Sequence, residues 1–314
     1  MLNVAVLGFT DVSYKNQTYP DVAFGPMIPT PSIDELALSG VRLESYYVNQ
    51  LCSPTRTSLL SGRYAYTLGM NAEVIVDGHP DQLPLTVKTI GEHLQEGGWA
   101  TFAGGKWDAG MTSWGCTPTC RGFDTFSGFY NAFNDYFTHR VGNYLDLRHD
   151  FAPDLADDNH TGVYMTELLT SRVQQFITTA AETEQSTFAY VAHQAVHAPN
   201  QVPMSYLEGY CLDTIPEDRP TRRILCGMMR AVDESVRNIT ATYKQLGLWN
   251  DTVLIFTTDN GGNPETGGSN YPLRGQKATT FEGGMRGVGF VNSPLLNESQ
   301  RGFISDELIH VSDW

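Results

Sequence analysis

A thiol stands just ahead of a helical stretch at Cys52-Ser53-Pro54-Thr55-Arg56, which runs on as Thr57-Ser58-Leu59-Leu60-Ser61-Gly62-Arg63. The start of a helix presents unpaired backbone N–H groups and the positive end of the helix dipole. A sulfur placed there sits in a field that favours negative charge. Arg56 and Arg63 add to that field. Without such a setting, a single cysteine is more often a small buried hydrophobe. Four other segments carry groups able to do chemistry: Gly105-Lys106-Trp107, His197-Ala198-Pro199, Asp259-Asn260-Gly261-Gly262 and Gln276-Lys277. Taken singly, each has an ordinary reading. Asp-Asn-Gly-Gly makes turns, a histidine before Ala-Pro sits in loops, and lone lysines are solvated. Their placement relative to the elements decides between the two.

Apolar periodicity divides the chain into alternating extended and helical segments. Strands are expected at residues 4–7, 99–104, 187–192, 252–257 and 287–291. Helices are expected at 32–38, with Ser32 as N-cap and Glu35 three residues on, and at 86–96, with Val87, Ile90 and Leu94 on one face. Met165, Leu168, Leu169, Val173, Phe176 and Ile177 mark another amphipathic helix. Leu225, Met228, Met229, Val232, Val236 and Ile239 mark a long one ending near Gly247. This alternation argues for an α/β fold with a central mixed, largely parallel sheet flanked by helices. Active sites of such sheets lie past the carboxyl ends of the strands. Lys106, His197 and Asp259-Asn260 each follow an expected strand. Residues 108–158 and 200–220 read as long surface excursions.

The chain has 314 residues, 41% hydrophobic and 18% charged, enough for one large domain or two smaller ones. No apolar run is long enough to span a membrane. A formal charge of −15 argues against nucleic-acid binding. It also opposes an anionic substrate, so a sulfate or phosphate site needs its own cluster of cations. The cysteines are Cys52, Cys116, Cys120, Cys211 and Cys226. Pairing the nearest in sequence, Cys116 with Cys120 and Cys211 with Cys226, would leave Cys52 free, although spacing alone does not fix connectivity. Glycosylation sequons at Asn16, Asn159, Asn238, Asn250 and Asn297 favour a secretory route. Residues 1–7 lack the charged start and full apolar core of a leader, and the natural N-terminus is expected to lie upstream.

The run Cys52 to Arg63 resembles the sulfatase signature. The resemblance extends over nearly the whole chain and is nearest the arylsulfatase B-like branch. It is carried by Leu7-Gly8-Phe9-Thr10-Asp11-Val12, Thr30-Pro31-Ser32-Ile33-Asp34, Gly40-Val41, Gly105-Lys106-Trp107, Arg121-Gly122-Phe123-Asp124 and His197-Ala198-Pro199. Thr258-Asp259-Asn260-Gly261-Gly262, Leu273-Arg274-Gly275-Gln276-Lys277, Glu282-Gly283-Gly284-Met285-Arg286 and Ile309-His310-Val311-Ser312-Asp313-Trp314 continue it. The resemblance implies an alkaline phosphatase-like catalytic domain over residues 1–314, without the family's smaller C-terminal subdomain. It implies that Cys52 is oxidised to formylglycine by a formylglycine-generating enzyme and attacks sulfur, with Arg56 holding the hydrated nucleophile. Asp259 and Asn260, with the modified Cys52, would ligate one divalent ion, calcium. Lys106, His197 and Lys277 would bind sulfate, with His197 or Lys277 assisting the leaving alcohol. The implied substrate is a sulfated small molecule or glycan, such as a galactosamine sulfate, and the implied location is lysosomal or extracellular. His193 and His310 fall outside this pattern and read as structural.

Two departures bear on the chemistry. The family has a pair of aspartates where this chain has Ala5 and Val6, which leaves an ion short of the roughly six to eight oxygens that calcium takes. The family block Gly-Lys-Trp-His reads Gly-Lys-Trp-Asp here. Asp108 therefore puts a carboxylate beside the expected sulfate, unless it turns away, pairs with Lys106 or binds metal. The expected activity is sulfate-ester hydrolysis. The alternatives are a phosphoester or phosphonate hydrolase of the same superfamily and a non-catalytic protein that binds sulfated glycans.

Overall fold

Five parallel strands form the centre of the sheet because their residues are apolar on both faces, as strands covered by helices on two sides must be. The structure is a computed structural model that describes residues 1–20, 26–71, 73–76, 78–150 and 159–314. The strands of the main sheet are β1 (Leu2–Val4), β2 (Val41–Leu43), β3 (Ala100–Lys106), β4 (Thr125–Phe129), β5 (Arg148–Asp150), β6 (Thr187–His193), β7 (Leu254–Thr258), β8 (Gly289–Asn292) and β9 (Ile304–Ser305). Their order across the sheet is β9-β2-β8-β7-β1-β6-β3-β4-β5. β7, β1, β6, β3 and β4 run parallel, while β8 and β5 run antiparallel to their neighbours. The expected mixed, largely parallel sheet is thus present.

The helices that cover it are α1 (Pro31–Ser39), α2 (Cys52–Ser61), α3 (Ile90–Glu96), α4 (Met165–Glu182) and α5 (Pro220–Gln245). Alternation along β6 sends Ala189 and Val191 to one face and Phe188, Tyr190 and Ala192 to the other. The first face packs on the apolar stripes of α1, α4 and α5, including Leu36, Val173, Ile177, Met229, Val232 and Val236. The second packs on Leu59 and Leu60 of α2, with Trp107, Phe123 and Tyr130. Each such aliphatic or aromatic side chain stabilises the fold by about 1.5–3 kcal/mol when fully buried.

Several expectations change. The first strand is Leu2–Val4, not 4–7, because Val6 adopts φ 56 and the chain turns there. The helix expected at 86–96 starts at Ile90. Thr89 caps it, with its hydroxyl accepting from Glu92 N (3.1 Å) while Glu92 Oε2 accepts from Thr89 N (2.8 Å). Ser32 is not the cap of α1. Its own N–H and that of Ile33 donate to the Asp233 carboxylate of α5, at 2.9 and 2.8 Å. Residues 108–150 are not a surface excursion. They supply β4 and β5 to the main sheet, and Phe123, Phe126 and Tyr136 are buried; residues 151–158 lie outside the described residues. The segment 200–220 holds two short helices, Met204–Leu207 and Tyr210–Thr214, the second carrying buried Cys211.

Cys211 and Cys226 form the expected disulfide, joining that segment to α5. Cys116 and Cys120 do not pair: both are free, the first buried and the second exposed. Among the sequons, Asn159, Asn250 and Asn297 are exposed. Asn16 is buried, which leaves no room for a glycan on the folded chain, and Asn238 is half-buried within α5.

Candidate active site

β1, β3, β6 and β7 end along one edge of the sheet, and the groups singled out by sequence gather there. Lys106 is the last residue of β3, Asp259 and Asn260 follow β7, and His197 lies four residues past β6. Gly105 has φ 86, and a Cβ there would run into the Ala192 carbonyl, so only glycine lets β3 deliver Lys106 this close to β6. Cys52 opens α2. This helix is polar yet buried from Cys52 to Leu60, which is tolerable because its polar groups are hydrogen-bonded. Thr55 Oγ1 accepts from Asn49 N (2.9 Å), Thr57 Oγ1 donates to Ser53 O (2.8 Å), and Ser53 Oγ accepts from Ile75 N (2.8 Å).

Cys52, Asn260, Lys277 and His197 form one contiguous chain of contacts. The Cys52 thiol donates to Asn260 Oδ1 at 3.3 Å and accepts from Lys277 Nζ at 3.4 Å. Lys277 Nζ is 2.9 Å from His197 Nε2, and His197 Nδ1 is 2.6 Å from its neighbour's carbonyl, Ala198 O. An ammonium only donates and a carbonyl only accepts, so the ring carries its proton on Nδ1 and accepts at Nε2. Burial, with Lys106 and Lys277 adding to it, holds the His197 pKa well below the ordinary histidine value. The imidazole is therefore neutral at pH 7. At Nε2 it accepts the hydrogen bond that fixes the lysine.

Arg56 does not reach Cys52 through a hydrogen bond. Its guanidinium is fully buried behind the thiol. Nε and Nη2 donate to Asp259 Oδ2 at 3.3 and 3.0 Å, Nη1 donates to Lys106 O (2.7 Å) and Tyr190 OH (3.4 Å), and Nη2 donates to Asn3 Oδ1 (3.1 Å). The other Asp259 oxygen accepts from Val6 N at 2.9 Å. Burial raises the Asp259 pKa, but Arg56, Lys106 and Lys277 outweigh it and bring the value to about 2.

Asp108 takes one of the courses open to it in sequence: it pairs with Lys106. Nζ lies 3.2 Å from Oδ2, with both side chains fully buried, and Asp108 Oδ1 accepts from Ser53 Oγ at 2.7 Å. Neither Lys106 Nζ nor Asp108 Oδ2 has an aligned hydrogen bond. Burial lowers the Lys106 pKa, yet Asp108 and the adjacent Cys52 raise it above the ordinary lysine value overall. Sequence reasoning missed Asn3, Ser53, Tyr190 and Phe133. Tyr190 was open to discovery, since alternation along β6 puts it on the α2 face. Phe133 stacks on His197 with ring centroids 5.8 Å apart and planes 11° apart, and nothing in its sequence context signals that. His193 and His310 lie outside the cluster, as expected: His193 is fully buried near Ser235, and His310 Nδ1 meets Ser312 Oγ.

The donor set does not fit a calcium ion. Ala5 and Val6 offer no side-chain oxygen, both Asp259 oxygens are taken by Arg56 and Val6 N, and Asn260 Oδ1 faces the Cys52 thiol. Asp108 is committed to Lys106 and Ser53, and Asp11 to Arg222, Gly8 N and Ser269 N. Among the described residues, no three His, Cys, Asp or Glu side chains stand together as a metal site. Calcium takes about six to eight oxygens, more than the side chains of Cys52, Asp259 and Asn260 offer here.

The sequence profile described as sulfatase matches residues 13–314. The chain belongs to the sulfatase family. Members of this family generally use a formylglycine and a divalent metal. Mouse arylsulfatase J is 41% identical over 98% of the chain and 49% of its own length. Mouse N-acetylgalactosamine-6-sulfatase is 31% identical over 83% of the chain and 52% of its own length. The chain thus spans about half the length of these relatives. Among solved structures, Ps i-CgsB in complex with a neocarrahexaose superposes with TM-score 0.87 at 27% identity, covering 99% of this chain and 68% of that one. The phosphonate monoester hydrolase of Silicibacter pomeroyi shares the fold alone, with TM-score 0.65 at 17% identity over 100% of this chain and 71% of that one.

Proposed function

We propose that residues 1–314 form a sulfatase catalytic domain that hydrolyses sulfate esters of sugars, with Cys52 converted to formylglycine. The observation that carries this reading is Lys277 Nζ, 3.4 Å from Cys52 Sγ and 2.9 Å from a neutral His197. An ammonium so placed binds a sulfate oxygen and gives a proton to the departing alcohol as the ester bond breaks. His197 holds it in line. Lys106, paired with Asp108, lies on the closed side of the pocket. Asn260 orients the side chain at position 52, and Arg56 braces Asp259 behind it. The hydrated formylglycine supplies two hydroxyls on one carbon, one to attack sulfur and one through which sulfate is later expelled. Calcium has no step in this reading. Cys52 is fully buried, so the formylglycine-generating enzyme acts before the chain folds.

A sugar substrate is supported by the relatives' names, by the neocarrahexaose in the Ps i-CgsB complex, and by a cavity of about 450 Å³ beside His197. Phe133, Arg140, Val141 and Pro199 line it, and an exposed aromatic face next to the pocket suits the apolar face of a sugar ring. The disulfide Cys211–Cys226 and the exposed sequons Asn159, Asn250 and Asn297 support a secretory, lysosomal or extracellular location. No helix among the described residues is long and apolar enough to cross a membrane.

The test is mass spectrometry of the Cys52 peptide after co-expression with the converting enzyme, followed by assays on an aryl sulfate, a sulfated galactosamine and the matching phosphate ester. The expected outcome is conversion at Cys52 and sulfate release that Cys52→Ala abolishes. The buried Lys106–Asp108 pair favours a second reading, a sulfatase-like protein that holds sulfated glycans without cleaving them. Saccharide binding by the converted chain without turnover would select it, and faster hydrolysis of the phosphate ester would select a phosphoesterase instead.

A further inference from the structure

Two buried carboxylates, Asp259 and Asp11, are each held by an arginine. Asp259 lies against Arg56 and Asp11 against Arg222. Around Cys52 the fixed charges are Arg56, Lys106 and Lys277 against Asp108 and Asp259. Asp108 neutralises Lys106, Asp259 neutralises Arg56, and among the described residues Lys277 has no carboxylate partner. One net positive charge therefore remains, on the half-buried side chain that an entering anion meets. A divalent cation would have to displace the Arg56 guanidinium from Asp259, and Arg56 has four other oxygen-bearing partners fixed around it, counting Lys106 O, Tyr190 OH, Asn3 Oδ1 and, at 4.0 Å, Asp108 Oδ2.

We propose that the oxyanion centre of this chain works without a divalent ion: the Arg56 guanidinium occupies the electrostatic role of the metal against Asp259, and a tetrahedral dianion is taken by Lys277 with Lys106 behind it. The proposal rests on the sulfate-ester reading only for its choice of oxyanion, since it concerns binding and needs neither conversion of Cys52 nor turnover. The loop that carries Ala5 and Val6 keeps a trace of the other arrangement. Val6 has φ 56, a left-handed conformation that Asp and Asn adopt several-fold more readily than other non-glycine residues and that is an outlier for a β-branched one. Aspartate is thus compatible with the backbone at the position where the family carries one.

The test uses the unconverted 314-residue chain, with inorganic sulfate and calcium as probes. Sulfate affinity is measured by calorimetry in EDTA and in millimolar calcium, and thermal unfolding is followed across a calcium titration. The expected result is the same sulfate affinity in both buffers and a Tm that calcium leaves unmoved, because a ligand that does not bind the native state does not stabilise it. The double variant Ala5→Asp with Val6→Asp is expected to gain a calcium-dependent rise in Tm of several degrees. A rise of that size in the wild type, loss of sulfate binding in EDTA, or no sulfate binding in either buffer overturns the proposal. If the double variant does not fold, the two wild-type measurements decide. Absence of sulfatase turnover, by contrast, would count against the catalytic reading alone.

Discussion

At the scale of single residues, the site depends on which cations are free and which are neutralised. Among the described residues, Lys277 is the cation of the site without a carboxylate partner. Lys277→Met keeps the length of the side chain and removes the charge and the proton, so kcat on an aryl sulfate should fall by about 10²–10⁴-fold, the range for losing a positioned acid. Tm should hardly move, because the side chain is only half-buried. Lys106 is the opposite case, since its charge is held by Asp108 at 3.2 Å in a fully buried pair. Asp108→Asn keeps the shape and the acceptor for Ser53 but releases the lysine charge toward the pocket. Inorganic sulfate should then inhibit roughly tenfold more tightly, about 1.4 kcal/mol, because one negative charge is gone from beside the anion site. The same change leaves Lys106 buried and unpaired, and unfolding in urea should show a loss of about 3–5 kcal/mol. Tighter inhibition without lost stability would mean that the pair contributes nothing to the fold; lost stability without tighter inhibition would remove Lys106 from the sulfate site.

At the scale of elements, the sequence showed what the central strands and long helices would be, and much less of what terminates them. Residues 187–193 and 165–182 are legible because their apolar periods are unbroken over many residues. β4 was not legible. Its sequence, Thr-Phe-Ser-Gly-Phe, is short and contains Gly128, which is there because the Gly105 backbone of β3 passes against it, a fact of packing and not of pattern. β2, β5 and β9 run two or three residues each and exist only through their neighbours. The chemistry-bearing residue types were legible as a set at strand ends. The Lys106–Asp108 and Arg56–Asp259 pairings were not fixed, because they arise from how the strand ends and α2 pack together. The groove at Phe133 belongs to this scale too, since the 131–145 segment wraps over His197. Phe133→Ala should raise KM for a sulfated oligosaccharide roughly fivefold, about the 1 kcal/mol of one lost aromatic contact, while KM for a small aryl sulfate stays put. Equal effects on both substrates would mean that Phe133 supports His197 and does not touch the sugar.

At the scale of the whole molecule, the net charge of −15 makes the local cation cluster an exception built by burial, and burial also sets how the fold responds to acid. His193 at the end of β6 is fully enclosed, with Ser235 Oγ of α5 3.3 Å from Nε2, and desolvation lowers its pKa from 6.5 to about 4. His197 is moved in the same direction. Between pH 6.5 and the folded value, the unfolded chain binds a proton that the folded chain refuses, so stability falls as pH falls through that window. For His193 alone the loss is about 3 kcal/mol by pH 4, since each pH unit crossed costs about 1.4 kcal/mol. Asp259 does not offset it in this range. Its pKa is held at about 2, below the ordinary 3.8, so its stabilising pairing with Arg56 persists through the window and is lost only as pH falls further toward 2. Urea midpoints measured from pH 7 down to pH 4 should therefore decline most steeply below pH 6.5. His193→Gln, which can still reach Ser235 but does not titrate there, should flatten that decline by about one proton's worth of slope. An unchanged slope in the variant would transfer the acid sensitivity to His197 and the active-site cluster, and would show as loss of sulfate binding in the same pH range.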